Sequence, residues 1–166
     1  MVNTTPTFTT DEALQLDHQL CFALYSASLA MTKVYKPLLA ELGLTYPQYL
    51  VLLVLWQCDD LLVSELGERL FLDSGTLTPL LKRMEAAGWL CRQRSATDER
   101  RVHIRLTPEG QDLKARAAPI PACLMQAMAC SLPELQTLTH QVQQLRDRLQ
   151  ATAPRGTPAF SLSQPA

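Results

Sequence analysis

Residues 74–90 read SGTLTPLLKRMEAAGWL, and the architecture of the chain can be worked out from this segment. Its apolar residues recur at intervals of three and four: Leu77, Leu80, Leu81 and Met84. That spacing places them on one face of a helix, which we expect to start at Ser74 and to end at Gly88. Pro79 would cost this helix one internal hydrogen bond, whereas a start at Thr78 would place the proline in the first turn. We predict the longer helix.

The segments on either side of this helix complete a known supersecondary pattern. Before it, Ser64 is expected to cap a short helix that ends at a turn around Asp73. After it, residues 89–94 and 101–106 are typical of two strands joined by a polar tip, and the second strand alternates between apolar and polar residues. Helix, turn, helix and hairpin in this order predict a winged helix-turn-helix, whose second helix reads the DNA major groove.

Further helices are predicted at both ends of this unit. Apolar residues recur every three or four positions from Leu16, which predicts a long helix that ends near Lys36–Pro37. Thr45 is expected to cap a central helix that is apolar all round and is closed by Asp59–Asp60. Thr107–Pro108 should begin a helix that runs to about Cys130, and Leu132–Pro133 should begin the last one.

These elements give a fold that is mainly α with a small β-hairpin wing, and a dimer interface formed by the N- and C-terminal helices. The domains that we predict are a flexible N-terminus at 1–10, dimerisation helices at 11–42 and 107–151, the DNA-binding domain at 45–106 and a disordered tail at 152–166.

The composition is that of one ordinary domain: 166 residues, 47% apolar and 19% charged. No run of about 18 apolar residues and no secretory leader is visible, so we expect a cytoplasmic protein that does not contact a membrane. Five scattered cysteines without a CxxC pair argue against a disulfide framework or a zinc site. His18, His103 and His140 are also too scattered for a metal site, and no cofactor is expected.

Charge is unevenly distributed along the chain. Residues 1–60 hold two basic and six acidic side chains, whereas residues 82–105 hold seven basic and three acidic ones. The outward side chains of the predicted reading helix suit phosphate oxygens and base edges; they are Ser74, Thr76, Thr78, Pro79, Lys82 and Arg83. The hairpin arginines suit a narrow minor groove; they are Arg94, Arg100 and Arg101, with Asp98 placed to hold Arg100. The alternative is that these arginines only keep an exposed hairpin in contact with water and do not bind DNA.

From about residue 16 to 150 the chain resembles the MarR family of bacterial regulators. SGTLTPLLKRMEAAGWL looks like the family's recognition helix, and DERRVHIRLTPEG at 98–110 looks like its wing and second strand. The resemblance implies binding to double-stranded operator DNA. It assigns recognition-helix positions to Ser74, Gly75, Thr76, Pro79, Lys82 and Arg83, and the wing's Asp-x-Arg element to Asp98 and Arg100.

A second set of residues points to thiol chemistry. Cys21, Tyr25, Ser28 and Tyr35 lie along one stripe of the first helix. Fourteen residues separate Cys21 from Tyr35, or about 21 Å along a helix, so a site containing both needs a second copy of the chain. Tyrosine hydroxyls can stabilise a thiolate, which makes Tyr35 and Tyr46 candidates to activate Cys21. The alternative is an inert cysteine among core tyrosines.

LDHQLCFALYSASLAMTKVYKPLL at 16–39, followed by GLTYPQYLVLLVLW at 43–56, is similar to the organic hydroperoxide resistance regulators (OhrR), a subgroup of the MarR family. The resemblance implies a homodimer in which organic hydroperoxides oxidise Cys21, with Tyr35 and Tyr46 supplied by the partner subunit. In two-cysteine members a second cysteine resolves the sulfenic acid. Gln126 occupies that aligned position here, and Cys123 and Cys130 flank it. Either of these two, or a small-molecule thiol, is a candidate.

These observations predict a redox-sensing transcriptional repressor rather than an enzyme. The reduced protein would bind operator DNA, and oxidation of Cys21 would release it. Two alternatives stay open: a repressor released by a non-covalent aromatic ligand, and a thiol peroxidase that uses Cys21 in catalysis. Release that does not depend on reductant would favour the first, and turnover of many peroxide equivalents would favour the second.

Overall fold

The computed structural model describes residues 9–95, 97–98 and 101–152. Its N-terminal part holds α1 (Thr10–Ala13), a short 3-10 helix (Leu16–His18), α2 (Leu20–Ala40) and α3 (Tyr46–Gln57). The middle holds β1 (Leu61–Leu62), α4 (Val63–Leu70), α5 (Ser74–Ala86), β2 (Leu90–Arg94) and β3 (Val102–Leu106). The C-terminal part holds α6 (Pro108–Ala117), α7 (Ile120–Met128) and α8 (Leu132–Thr152). The predicted winged helix-turn-helix fold is confirmed.

Helix α3 lies at the centre of the core. Val51, Leu52 and Leu55 on this helix are almost completely buried. At its start, the backbone N–H of Thr45 donates to the Gln48 side chain over 2.8 Å, which satisfies one of the exposed donors near the first turn. A helix without a polar face is stable only when neighbours cover it on every side, and α2, α4, α5 and α6 all pack against α3.

Helices α4 and α5 form the helix-turn-helix. We expected Ser64 to cap α4, and this was wrong: the helix begins at Val63, and the backbone N–H of Leu62 donates to the Glu65 carboxylate over 2.7 Å. Glu65, which lies three residues after Leu62, supplies the capping group, so a serine side chain is not needed at the start of α4. Helix α5 does begin at Ser74, as predicted, and passes through Pro79. Asp73 caps it by accepting the backbone N–H of Thr76 over 2.9 Å.

The wing is one strand larger than predicted. Strands β2 and β3 form the expected hairpin, with Leu90 opposite Leu106 and Arg94 opposite Val102. Strand β1, which the sequence analysis missed, pairs antiparallel with the other edge of β3. A strand of two residues shows no measurable alternation, so its sequence carries no strand pattern. It fixes the start of α4 directly to the base of the wing.

Two predicted helix ends were wrong, and prolines are involved in both. Helix α2 does not stop at Lys36–Pro37 but continues to Ala40, because Leu39 is fully buried there and its packing offsets the one hydrogen bond that Pro37 removes. The helix predicted to run from Pro108 to about Cys130 is instead two helices, α6 and α7. Pro119 and Pro121 both lack an N–H, so two hydrogen bonds in succession are lost and the helix breaks.

Helices α2 and α8 leave apolar faces uncovered in a single chain. Helix α8 has no buried residue, and Leu138, Val142 and Leu149 on its predicted apolar face are about half exposed. Leu20 and Leu24 on α2 are also exposed. Single exposed leucines are common, but two long helices with aligned apolar stripes are typical of a protein interface. Within the described residues, no helix is both long and apolar enough to cross a membrane.

Candidate functional site

The outer face of α5 presents most of the side chains that the sequence analysis assigned to DNA. Leu77, Leu80, Leu81 and Met84 face the core and are buried, as the periodicity predicted. Ser74, Gly75, Thr76, Pro79, Lys82 and Arg83 are exposed, and Thr78 is half-buried. The buried row fixes the rotation of the helix about its axis, so the hydroxyl and basic groups form one outward surface.

Thr76 has a structural task in addition to its outward position. Its backbone N–H and its hydroxyl both donate to the Asp73 carboxylate, each over 2.9 Å. These two hydrogen bonds hold the pKa of Asp73 below its usual range. The Thr76 oxygen can still accept a hydrogen bond, but its own proton is engaged. A methyl group at Gly75 would lie 2.9 Å from an Asp73 oxygen, so the glycine leaves room for this cap.

The arginines of the wing are only partly described. Arg94 and Arg101 are exposed on either side of the hairpin tip, and the Arg101 backbone N–H donates to the Asp98 carbonyl over 2.9 Å. Arg100 lies outside the described residues, so its predicted pairing with Asp98 stays a prediction. Arg101 and Ser74 line the same groove of about 560 Å³ between the wing and the start of α5. The structure therefore brings a predicted wing residue and a predicted recognition-helix residue together.

An acidic residue that the sequence analysis missed anchors the base of the wing. Asp60, in the left-handed region at φ 58°, accepts hydrogen bonds from Arg105 over 2.7 Å and from the His103 ring over 3.0 Å. The hydrogen bond from Arg105 is the largest influence that holds the pKa of Asp60 below its usual range. The ring of His103 is thus held by Asp60. Period-two spacing puts His103 and Arg105 on the same face of β3. This spacing was the indication in the sequence that both side chains could reach one partner.

A second contact joins the wing to α5. Glu85, near the end of α5, accepts the backbone N–H of Arg92 over 2.9 Å, and its carboxylate lies 3.6 Å from the Arg92 guanidinium. Strand β2 is thereby tied to the helix that carries Lys82 and Arg83. This contact fixes β2 against α5, while Asp60 fixes β3 against the segment that follows α3.

Tyr35 and Tyr46, the candidate thiolate-stabilising residues, lie together in one chain. Their ring centroids are 4.7 Å apart, and Tyr49 lies 6.0 Å from Tyr35. Burial is the main cause that raises the pKa of Tyr35 to about 12, and burial also raises the pKa of Tyr46. Both phenols therefore keep their protons at neutral pH and can donate hydrogen bonds to an anion. A groove of about 480 Å³ opens beside Tyr46, with Thr32 and Lys36 among its lining residues.

Cys21 lies at the opposite end of the helix that carries Tyr35. Its side chain is exposed on the first turn of α2, and α2 is one continuous helix from Leu20 to Ala40. The rise of a helix puts the two residues about 21 Å apart, so one chain does not join Cys21 to its own phenol pair. The chain thus presents a thiol at one end of α2 and a donor pair at the other.

Cys123 and Cys130 do not share a helix, although the helix predicted to run to about Cys130 would have held both. Helix α7 ends at Met128, because Ala129 adopts the left-handed conformation at φ 50°. Cys123 is exposed on α7, whereas Cys130 is half-buried after the helix end and its thiol lies 3.3 Å from the Met128 carbonyl oxygen. The described residues hold no group of three metal-ligating side chains.

Comparison with known proteins adds to this geometry. Residues 33–117 match the family model described as transcriptional regulator SarA/Rot. The chain is 50% identical over 143 residues to the HTH-type transcriptional regulator TtmR of Methylorubrum extorquens, covering 86% of this chain and 73% of that protein. It is 55% identical over 112 residues to the organic hydroperoxide resistance transcriptional regulator of Bacillus subtilis, covering 68% and 76% of the two chains.

Solved structures of AbfR, a protein of Staphylococcus epidermidis, have the same fold. Reduced AbfR bound to DNA superposes with a TM-score of 0.73 at 37% identity, covering 85% of this chain and 99% of AbfR. Overoxidized AbfR bound to DNA gives a TM-score of 0.69 at 34% identity, with 85% and 98% covered. The disulfide form of AbfR superposes with a TM-score of 0.59 at 40% identity, covering 80% of this chain and 96% of AbfR.

Proposed function

Because the chain belongs to the family of MarR-type transcriptional regulators, in the group that includes the organic hydroperoxide resistance regulators, we propose that it is a redox-sensing repressor. The reduced protein binds operator DNA as a homodimer. An organic hydroperoxide oxidises Cys21, and the oxidised dimer leaves the DNA. The relative AbfR has been solved reduced and overoxidized on DNA and also in a disulfide form, which supports thiol oxidation in this group and disulfide formation as the step that leads to release.

The separation between Cys21 and the phenol pair carries the redox part of this proposal. Tyr35 and Tyr46 are protonated donors that lie together beside a groove, while the exposed Cys21 lies at the far end of α2. A two-fold axis that pairs α2 and α8 with their copies covers the exposed apolar faces of both helices. In such a dimer Cys21 of one subunit lies beside Tyr35 and Tyr46 of the other, and the site forms twice.

The chemistry at Cys21 is a two-electron oxidation of sulfur. The thiolate attacks one peroxide oxygen, a sulfur–oxygen bond forms, and the oxygen–oxygen bond breaks. The alkoxide that leaves takes up a proton and departs as the alcohol, and the sulfur becomes a sulfenic acid. Phenol protons from Tyr35 and Tyr46 stabilise the attacking thiolate. A second thiol then condenses with the sulfenic acid, so that a disulfide forms and water is released.

On the DNA side, two copies of α5 must fit successive major grooves. Half-sites lie about 34 Å apart, so a shift of a few Å in either winged unit disrupts contacts in both half-sites. In this proposal the outer face of α5 and the wing supply the contacts. They come from Ser74, Gly75, Thr76, Thr78, Pro79, Lys82 and Arg83 on α5, and from Arg94, Asp98, Arg100 and Arg101 on the wing. The Asp60 and Glu85 contacts hold the wing and α5 as one unit.

The test uses a duplex that the reduced protein selects from a random DNA library. Cumene hydroperoxide is titrated into the complex, and binding is followed by fluorescence anisotropy. We expect release at about one equivalent per subunit from the unsubstituted protein and from Cys91→Ser, and retention by Cys21→Ser. Equal release from Cys21→Ser would contradict the sensor role. Consumption of many equivalents with a thiol reductant would instead identify a peroxidase.

A second candidate function is release by an aromatic ligand that binds non-covalently. The groove beside Tyr46 favours it, as does the likeness to the PcaV regulator of Streptomyces coelicolor in complex with its natural ligand, at 26% identity and a TM-score of 0.73. The chain covers 96% of PcaV over 81% of its own length. Release of Cys21→Ser by 4-hydroxybenzoate, in the presence of reductant, would support this function over the redox one.

A further inference from the structure

Phe71 occupies the turn that joins the two helices of the DNA-reading unit, in a conformation that needs support. It ends α4 with φ 56° and ψ 36°, the left-handed region that a bulky residue seldom adopts. Its ring is 49% exposed, so the core does not hold it. Only Leu72 separates it from Asp73, which caps α5. The position of Phe71 therefore bears directly on where α5 begins.

Arg146 of α8 covers this exposed ring. The centre of its guanidinium lies 4.5 Å from the centroid of the Phe71 ring. The same guanidinium donates from Nε and Nη2 to the Asp147 carboxylate, over 2.9 and 2.8 Å, which orients its plane. A cation over a phenyl face is an attractive contact whose strength depends on this orientation. Arg146 thus joins the long C-terminal helix to the turn before α5.

The same turns of α8 also share a groove with α2 close to the reactive thiol. Leu24 of α2 and Val142, Leu145, Arg146 and Leu149 of α8 line one groove. Leu24 is three residues from Cys21, or about one helical turn. A short segment of α8 therefore faces α2 across this groove, about one turn from Cys21, and contacts the Phe71 turn through Arg146.

We propose that Arg146 is a positioning residue that links the state of Cys21 to the start of the recognition helix through Phe71. The inference rests on the proposed redox function and adds the residue through which it reaches DNA. When oxidation moves α2, the groove between Leu24 and α8 changes shape, and the segment of α8 that lines it moves. Arg146 then shifts over the Phe71 ring and changes the angle of α5.

The experiment compares the operator affinity of reduced and oxidised protein for each variant, by anisotropy on the selected duplex. The ratio of the two dissociation constants is the redox response. Arg146→Gln, which removes the cation, and Phe71→Leu, which removes the ring, should each reduce this ratio about two- to fivefold, the strength of one exposed cation–aromatic contact. Arg146→Lys should restore most of the response. The variant that carries both changes should reduce the ratio no more than either single variant does.

Arg148→Gln is the matched control. Arg148 is exposed on the same helix and its Nε donates to the Gln144 carbonyl over 3.3 Å, so this change removes the same charge without touching Phe71. A normal response in Arg146→Gln, or an equal loss in Arg148→Gln, would overturn the inference while the redox function stands. If the unsubstituted protein itself shows a ratio of one, the redox function fails, and this inference fails with it.

Discussion

The rings of Tyr35 and Tyr46 lie 4.7 Å apart and are tilted by 41° to each other, although ten residues and a helix end separate them in sequence. Tyr49 supports the pair from the core, and its own ring lies 6.3 Å from that of Trp56. The Trp56 indole donates to the Gly110 carbonyl over 2.9 Å. The phenol pair is thus held by a chain of aromatic contacts that reaches the start of α6.

The phenols should control the reactivity of Cys21. We expect Tyr35→Phe and Tyr46→Phe each to slow alkylation of Cys21 about fivefold to tenfold, because each removes one hydrogen bond to the thiolate. The measurement is the rate of Cys21 alkylation at pH 7, read by mass spectrometry on dimeric protein. Tyr49→Phe is the control, since it keeps the packing of the cluster. Unchanged alkylation in both phenylalanine variants would rule out the phenol role.

Asp60 should make the folded protein less stable in acid. Its pKa in the folded protein lies below the ordinary value of 3.8, mainly because Arg105 donates to it, so its contribution to stability is present above that value and is lost as the pH falls through the lowered pKa. Asp60→Asn mimics the protonated acid and tolerates the left-handed backbone at φ 58°. In urea, the free energy of unfolding should therefore be lower for Asp60→Asn than for the unsubstituted protein at pH 7. This difference should become smaller below about pH 4.

A difference in the free energy of unfolding that is equal at pH 7 and pH 3 would contradict the Asp60 prediction. Arg105→Lys gives an independent check. Because this change keeps a cation near Asp60, part of the stability that Asp60 contributes at pH 7 should remain.

Gly110 should tolerate no side chain. A methyl group at this position would lie 1.9 Å from the Trp89 carbonyl oxygen, where backbone must move to make room. We expect Gly110→Ala to lower the free energy of unfolding by about 3 kcal/mol or more. At an unhindered helix position the same change would stabilise the protein by up to about 1 kcal/mol, so the sign tests the close approach. Gln111→Ala, at an exposed neighbouring position, should change little in the same denaturation assay.

Much of the fold follows from patterns that are local in sequence. The reading helix was predicted because four buried residues repeat at helical spacing, and the hairpin because alternation is regular in residues 101–106. The missed features depend on contacts between distant segments. Strand β1 exists only because β3 pairs with it, and Asp60 finds Arg105 across 45 residues. The continuation of α2 past Pro37 depends on the core around Leu39.

The thiol and tyrosine residues could be selected from sequence, but their arrangement could not be fixed. Helical spacing gave the distance between Cys21 and Tyr35. It did not place Tyr46 beside Tyr35, because that contact depends on the angle between α2 and α3. The aromatic contact from α8 to Phe71 was equally invisible, since nothing local to Arg146 in the sequence points to the turn before α5.

Lys82 should contact phosphate rather than bases. It is exposed toward the C-terminal end of α5, beyond the Ser74–Thr78 segment that suits base edges. Lys82→Gln should therefore weaken binding similarly on selected and unrelated duplexes, and should reduce the slope of log affinity against log salt by about one. Lys114→Gln is the matched control, because Lys114 donates to the Trp56 carbonyl on another face of the domain. A loss confined to the selected duplex would instead indicate base contact.

Oxidised protein should carry a disulfide between subunits. Helices α2 and α7 pack against each other, and Cys123 is exposed on α7. In the proposed dimer, the Cys21 sulfenic acid of one subunit condenses with a thiol of the other. Peroxide-treated protein should run at twice the chain mass on a non-reducing gel, and Cys21→Ser should not. Cys123→Ser and Cys130→Ser, tested separately, identify the resolving thiol. A disulfide found only within single chains would refute the two-fold arrangement of the site.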